Sequence, residues 1–509
     1  MAITPLINPR LSKRLPAPLA RRPRPSSPDV SVPKPGADPA PRRIASNFAA
    51  MSAAEIVCRG TSVAVTLSLA RNLGSAGYGR IEFAFNVVFW LVLLVRDGVE
   101  VIAVREVARH PRLIRPLVNH VLAVKLLLAL ALFAGLVTIA SMTLGAGTDR
   151  TVLILYGLML LTTAMGIDFV YRGTERMGLT AFSLCLRTVV YATGVWLWVS
   201  DATRIVWVPA WLVLGEALGI GLVWACYTRQ YGLPRPILGM RFIRVFLHRG
   251  RSVVHIQVAQ TIINSADLMV VGLLCAWSDV GCYGLPHRMI AAILTFGLIF
   301  QQVAFPMLSR SWRQTVCAGR ETLNGLVEVV LMGLVPVAVG GSLLAGPLVR
   351  LLPEEYSGAS ILLAVGIWRA PLLTLAFLYQ TTLIALNRES IGVRLLSTGA
   401  VASGPLVAVF CLLFGLPGAS LAVVLIALGL VLAGYACLAR EGRQPAWHHH
   451  LWRPLAASLV MAPVCLVLAR WHVLAAVAGG ALTYAIVIVA MGGLKRPGIR
   501  LILCRSRIA

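Results

Sequence analysis

The sequence predicts an all-α, polytopic membrane protein of about fourteen transmembrane helices, arranged as two six-helix lobes followed by a C-terminal helix pair. Three observations carry that expectation. Hydrophobic residues make up 58% of the chain and charged residues 13%, with a mean hydropathy of +0.81, whereas soluble domains carry about 25% charged residues. From Ile44 to Leu494 apolar runs follow one another with short breaks, each close to the roughly 20 residues that cross a bilayer. The breaks also alternate between crowded and sparse in Lys and Arg, as the positive-inside rule requires.

The elements follow in order. Residues 1–43 hold eleven of the 28 Pro and nine Lys or Arg. Such a segment has nothing to bury and is expected to be a disordered, basic cytoplasmic tail, with no cleavable signal ahead of the first apolar run. Spans are expected near 45–70, 81–104, 116–142, 151–171, 179–200 and 205–227, forming an N-lobe over 44–227. A basic cytoplasmic linker follows at 228–251. Spans near 252–276, 284–308, 323–349, 359–386, 391–414 and 419–439 form a C-lobe over 252–440. Residues 441–509 carry accessory spans near 454–470 and 473–494 and a basic tail. The breaks Gly415-Leu-Pro-Gly418 and Arg470-Trp-His472 divide two long runs into hairpins.

With the N-terminus cytoplasmic, 34 Lys or Arg fall on the inside and six in outside loops, of 46 in all. Both termini are then inside. A short internal repeat supports two parallel halves: "AGYGRIEFAFN" (76–86) and "GCYGLPHRMIA" (281–291) each place Tyr-Gly where a new helix opens, six helices apart.

Several classes are excluded or disfavoured. None of the four Lys (Lys13, Lys34, Lys125, Lys495) follows a Gly, so there is no phosphate-binding loop of an ATP motor. No outside loop exceeds about a dozen residues, too little to build a glycan-processing domain, so an enzyme such as a membrane glycan polymerase is disfavoured. The ten Cys lie mostly in apolar runs with no CxxC and read as small apolar residues. The +26 balance is a matter of topology rather than of nucleic acid. "WHHH" (447–450) reads as an interfacial His cluster in a cytoplasmic loop.

The positive signal is ionisable residues at membrane depth, which must face a polar interior or pair with one another. The basic set is Arg59, Arg96, Lys125, Arg187, Arg288 and Arg369, suited to phosphate oxygens. The acidic set is Glu55, Asp97, Glu100, Asp168, Glu216, Asp267 and Glu328. Glu55–Arg59 and Arg96–Glu100 have the i, i+4 spacing of ion pairs, leaving Asp97 to find another partner, with Lys125 and Arg59 as candidates. Arg59, Arg187 and Arg369 sit deepest, whereas Arg288 stands near the outer end of its helix, where it can snorkel. Their spread over ten helices predicts a central hydrated cavity.

"LARNLGSAGYGRIEFAF" (69–85), "RDGVEVIAVREVAR" (96–109), "DFVYRGTERMGLTAFS" (168–183), "SADLMVVGLLCAWSDVGCYGLPHRM" (265–289), "FPMLSR" (305–310) and "LLPEEYSGASILLAVGIW" (351–368) stand in order and spacing similar to bacterial oligosaccharide flippases. These belong to the multidrug/oligosaccharidyl-lipid/polysaccharide exporter superfamily. The resemblance spans about 44–440 and departs at Leu352-Pro-Glu354, where the family usually has Phe-Gly before the Glu-Tyr. It implies a flippase of the bacterial inner membrane with no enzymatic step. Its substrate would be an isoprenoid-pyrophosphate-linked oligosaccharide for cell-surface polysaccharide, moved to the outer leaflet by alternating access. Lumen Arg residues would meet the pyrophosphate. Membrane lipids, a polysaccharide polymerase and assembly proteins are the implied partners. No cofactor is expected beyond a coupling Na+ or proton, for which Asp97, Asp168 and Asp267 are candidates. A multidrug/cation antiporter and a peptidoglycan-precursor flippase of the same superfamily remain as alternatives.

Overall fold

The computed structural model describes residues 41–237 and 239–492, and all side chains within them but those of residues 41–50, 52, 97, 98, 101, 240–253, 448 and 449. Residues 1–40 of the expected tail and the tail after 492 lie outside the described residues. Within them every regular element is a helix.

The first run is helical from Pro41 to Arg109. A straight helix of that length would extend about 100 Å, some three times the hydrocarbon core. The chain breaks at Gly74, whose φ of 70° and ψ of 175° lie in a region that only glycine enters freely, and so yields α1 (41–73) and α2 (75–109). Both contribute to one buried cluster, Val65, Leu69 and Leu73 from α1 with Tyr78, Ile81 and Val88 from α2. There follow α3 (Ile114–Thr143), α4 (Thr148–Gly173), α5 (Met177–Trp198), α6 (Trp207–Tyr231), α7 (Met240–Leu274), α8 (Trp277–Gln314), α9 (Val316–Val349) and α10 (Glu354–Ala385). The run Glu389–Arg440 divides at Gly415, φ 65°, into α11 (389–414) and α12 (416–440). α13 (Trp447–Leu468) and α14 (Val473–Ala490) complete the chain.

Among the described residues twelve helices are long and apolar enough to cross a membrane. Two of them are the glycine-broken runs, so the apolar segments approach the fourteen that the sequence predicts. Of the Gly-Leu-Pro-Gly break only Gly415 is non-helical, because Pro417 stands in the first turn of α12, where its missing N–H has no helical partner to lose. The expected linker 228–251 is shorter in the structure. α6 continues to Tyr231 and α7 begins at Met240, since helical hydrogen bonding continues past the point where hydropathy falls.

The buried residues form separate clusters. The largest draws on 259–438. Two more draw on α1–α6, the first of them receiving Leu285, Val349, Leu352, Tyr356 and Ala359 from the second half. α13 and α14 pack on α9 through a small cluster of Leu344, Met461, Cys465 and Ala476.

The turns alternate between two sides of the bundle, called here the Gly74 side and the linker side. The two Tyr-Gly repeats meet at the Gly74 side. A Cβ on Gly79 would collide with the Trp277 carbonyl, and one on Gly281 with the Ser75 carbonyl. Ser75 donates through its amide and hydroxyl to Glu355 Oε2 at 3.1 and 2.7 Å. Arg71 Nη2 donates to the Leu351 carbonyl at 2.7 Å, and Tyr356 hydroxyl to the Ala70 carbonyl at 3.2 Å.

A second repeat emerges from the structure. α4 is interrupted at Gly166-Ile167 and α10 at Ile367-Trp368, just after Gly366. Each Gly-Ile stands in the fourth helix of its half, and each second piece opens on a charged residue, Asp168 or Arg369.

Replacing Gly281 by Val should force the halves apart at this seam. Overpacking costs about 1–3 kcal/mol, so labelling of a Leu73→Cys probe by a water-soluble maleimide, in a background without native Cys, should accelerate by roughly 5- to 100-fold.

Candidate functional site

The ionisable residues group into two centres, one inside each half. In the first half, Lys125 on α3 is fully buried. Its Nζ donates to Glu100 Oε1 on α2 at 3.1 Å and to the Gly166 carbonyl at 2.9 Å. That carbonyl is freed by the interruption of α4, and non-helical backbone at membrane depth is tolerated only where a protein group satisfies it. Trp224 Nε1 donates to the neighbouring Met165 carbonyl at 2.8 Å. Beside it Arg187 on α5 forks between two acids, Nη2 to Asp168 Oδ2 at 3.1 Å and Nη1 to Glu216 Oε2 at 3.0 Å. Ser183 hydroxyl accepts from Arg187 Nε at 3.2 Å and donates to the Gly219 carbonyl at 3.0 Å.

In the second half Asp267 on α7 is the hub. Its Oδ2 accepts from Arg369 Nη1 at 2.9 Å and from Tyr283 hydroxyl at 2.9 Å, with His287 Nδ1 at 3.2 Å. Arg369 Nη2 also donates to the Ile263 carbonyl at 2.6 Å. Asp267 and Arg369 are both buried. Taking two charges out of water is tolerable only with such geometry.

Between the halves the geometry differs. Arg288 on α8 reaches across to Glu82 Oε1 on α2 at 3.3 Å and lies over the Phe85 ring at 4.6 Å, while Tyr78 hydroxyl donates to Glu82 Oε2 at 3.3 Å. Trp90 Nε1 donates to Ser265 Oγ at 2.8 Å and Asn86 Nδ2 to the Ser265 carbonyl at 3.3 Å. Arg59 on α1 pairs with Glu55 at 3.7 Å, its side chain still 46% exposed. The charges of Arg288, from the other half, and of Arg96 lie within electrostatic reach of it. Arg96 is exposed and is also within reach of Glu100 and Glu216. Counted from the Gly74 side at about 1.5 Å per residue, Arg288, Arg59 and Arg96 stand about 17, 22 and 33 Å deep. They form a descending series.

The structure distributes the expected site residues unevenly. Glu55–Arg59 pairs at the expected spacing. Glu100 takes Lys125 as its direct partner, where the i, i+4 spacing pointed to Arg96, because helix α3 brings an ammonium into the same buried pocket. Lys125 is thereby turned away from any cavity. Asp97 lies in α2, and its side chain lies outside the described residues. Lys125, one of its two candidate partners, is already engaged by Glu100 and Gly166. Arg288, expected near an interface, is held across the halves by a partner 206 residues away. Glu328 faces His450 Nδ1 on α13 at 3.7 Å, so it belongs to the seam with the accessory pair. Trp447 and His450 open α13, where the sequence suggested a loop.

Glu82, Tyr78, Tyr283 and His287 were not singled out as site residues. The signal for them was available: Tyr78-x3-Glu82 and Tyr283-x3-His287 occupy matching positions of the Tyr-Gly repeat. Among the described residues no group of three His, Cys, Asp or Glu side chains is arranged to hold a metal ion.

A family model described as "Polysaccharide biosynthesis protein" matches residues 44–312. The chain belongs to that family. No curated protein sequence matches it. Among solved structures it is similar to "Lipid II flippase MurJ, inward closed conformation", with a TM-score of 0.71 at 15% identity over 88% of this chain and 99% of that one. It is similar also to an inward-facing multidrug resistance MATE family transporter of the MOP superfamily, with a TM-score of 0.61 at 13% identity over 80% and 98%. A Vibrio cholerae MATE transporter, VcmN, matches at 0.53 and 14% identity over 79% and 98%. At these identities the likeness is one of fold. Family and fold together make this chain a multi-helix membrane member of the polysaccharide biosynthesis family, with a fold it shares with a flippase and with MATE transporters.

The intra-half pairs should behave as structure. Lys125→Met removes the directly bonded partner of buried Glu100 and leaves the more distant charge of Arg96, which should cost up to about 3–5 kcal/mol. The double variant Lys125→Met/Glu100→Gln should recover most of it. Thermal unfolding of the detergent-purified protein reads both.

Proposed function

We propose that this chain flips an isoprenoid-pyrophosphate-linked oligosaccharide from the cytoplasmic to the outer leaflet of the bacterial inner membrane. The observation that carries the reading is the series Arg96, Arg59, Arg288 between the halves. Each guanidinium offers a planar fork to phosphate oxygens. Their spacing along the cavity suits a doubly charged phosphate group moving stepwise from the linker side toward the Gly74 side. These three are more exposed than Lys125, Arg187 and Arg369, which are closed against acids within their own half and are better suited to holding each half together.

Orientation follows from the Lys and Arg distribution, which favours the linker side, and with it both termini, as cytoplasmic. The tight seam at the Gly74 side then closes the cavity to the outside and leaves loading from the cytoplasmic leaflet. The six-helix groups 44–227 and 252–440 act as the two moving lobes, with 441–509 as an addition to the second. Substrate is released when the Gly74 seam opens. Membrane lipids surround the path, and a polysaccharide polymerase and assembly proteins would receive the product.

A peptidoglycan precursor is the second reading, favoured by the fold similarity to a lipid II flippase. It shares the pyrophosphate-lipid chemistry and differs in the glycan. A cationic drug is less well served, because the acids Glu82, Glu100, Asp168, Glu216 and Asp267 are each engaged by a base.

The test is translocation of pyrophosphate-linked lipids in proteoliposomes. Arg59→Gln, Arg96→Gln and Arg288→Gln should each lower the rate at least about tenfold, the loss of one charge-assisted contact of about 1.5–3 kcal/mol. The triple variant should be inactive at normal protein content. Arg→Lys at Arg59 should restore charge but only part of the rate, since the fork is lost. Unchanged translocation by the triple variant, or efflux of a cationic dye in place of lipid transport, would overturn the reading.

A further inference from the structure

We propose that His287 is a proton-binding site that governs the seal between the two halves, so that proton uptake there weakens the closed Gly74 side and favours its opening. The proposal rests on the alternating-access reading above.

Consecutive residues of α8 face the two halves. His287 turns into the second half, where its Nδ1 stands 3.2 Å from Asp267 Oδ2. Arg288 turns outward to Glu82 of the first half at 3.3 Å. Pro286 precedes them inside the helix. A proline at that position removes the backbone hydrogen bond to the Cys282 carbonyl, in the turn just before both residues, and so weakens the helix where they project. A change at His287 is one residue away from the ion pair that bridges the halves.

Charged and titratable groups approach His287 from several helices. Asp267 faces it from α7, Arg369 from α10 and Tyr283 from its own helix, with Cys411 of α11 beside Tyr283. On its other side stand Arg288 and, through it, Glu82 and Tyr78 of α2. Of these only an imidazole ordinarily changes charge near neutral pH. Its side chain is 11% exposed, enough for a proton to reach it. A metal cation fits poorly. Asp267 Oδ2 already accepts from three groups, a guanidinium stands 2.9 Å away, and hard cations require several oxygen ligands.

The sealed arrangement is electrically balanced. Asp267 with Arg369 and Glu82 with Arg288 form two neutral pairs. A proton on His287 adds one uncompensated positive charge between two guanidiniums, at a depth where ions are expensive. The charge is relieved by fuller hydration, which separation of the Gly74 seam would supply.

The experiment uses the full chain in lipid nanodiscs, with spin labels at Ala202→Cys and Ser357→Cys in a background without native Cys. Both positions are exposed on the Gly74 side of opposite halves, Ala202 between α5 and α6 and Ser357 in the first turn of α10. As pH falls from about 8 to about 5, across the imidazole range, the long-distance population should rise severalfold. His287→Gln should abolish that response. Glu82→Gln, which frees Arg288, should raise the long-distance population at every pH. His287→Asn serves as the second variant should the Gln protein not fold. A full pH response retained by a folded His287 variant overturns the proton site. If Glu82→Gln still opens the seam in that case, alternating access stands without it. If neither pH nor Glu82→Gln moves the distance, the alternating-access reading falls as well.

Discussion

The architecture depends on the cost of an unpaired ion at membrane depth. Lys125 with Glu100, Arg187 with Asp168 and Glu216, and Arg369 with Asp267 are each closed inside one half. These bonds also repair the backbone. Lys125 satisfies the carbonyl freed by the interruption in α4, and Arg369 opens the second piece of α10. Charge and helix interruption are therefore one feature seen twice. Removing the interruption would strand the charge, and removing the charge would strand the backbone.

Because each half closes its own charges, little electrostatic work is left for the boundary between them. Arg288–Glu82 is the ion pair that crosses it on the Gly74 side, supported by the Trp90 and Asn86 bonds to Ser265 and by Glu355 over Ser75. Among the described residues this boundary is held by a partly buried ion pair, by hydrogen bonds of which several are charge-assisted, and by close glycine packing, and it can separate at lower cost than the interior of either half. Boundaries inside each half are held by buried salt bridges. That contrast marks the packing inside each half as electrostatically tighter than the packing between the halves.

The sequence made the helix content, the near-fourteen segments and the hairpin glycines legible, because hydropathy and Gly patterns are local. It also exposed the charged residues that needed partners. It did not expose the partners. Glu100 has Arg96 four residues before it, but its bonded neighbour is Lys125, and Arg288 belongs with Glu82. Pairing at 25 and 206 residues of separation depends on which helix faces which, and composition is blind to that. Glu82 was hidden by its apolar surroundings. The Gly-Ile interruptions, 200 residues apart, were readable as a repeat but carry no hydropathy signal of their own.

The accessory pair has a consequence of its own. On α9 the residues Arg320, Asn324 and Glu328 recur every fourth position and meet the Gln444 carbonyl, the Ala446 amide and His450, while Tyr484 hydroxyl caps the Met332 carbonyl at 2.7 Å. Acyl chains could not solvate that polar stripe. The last two helices thus act as a raincoat for the flank of α9. A chain shortened before α13 would present to lipid a line of hydrogen-bonding groups that only protein can cover, so the second half is complete only with its helix pair.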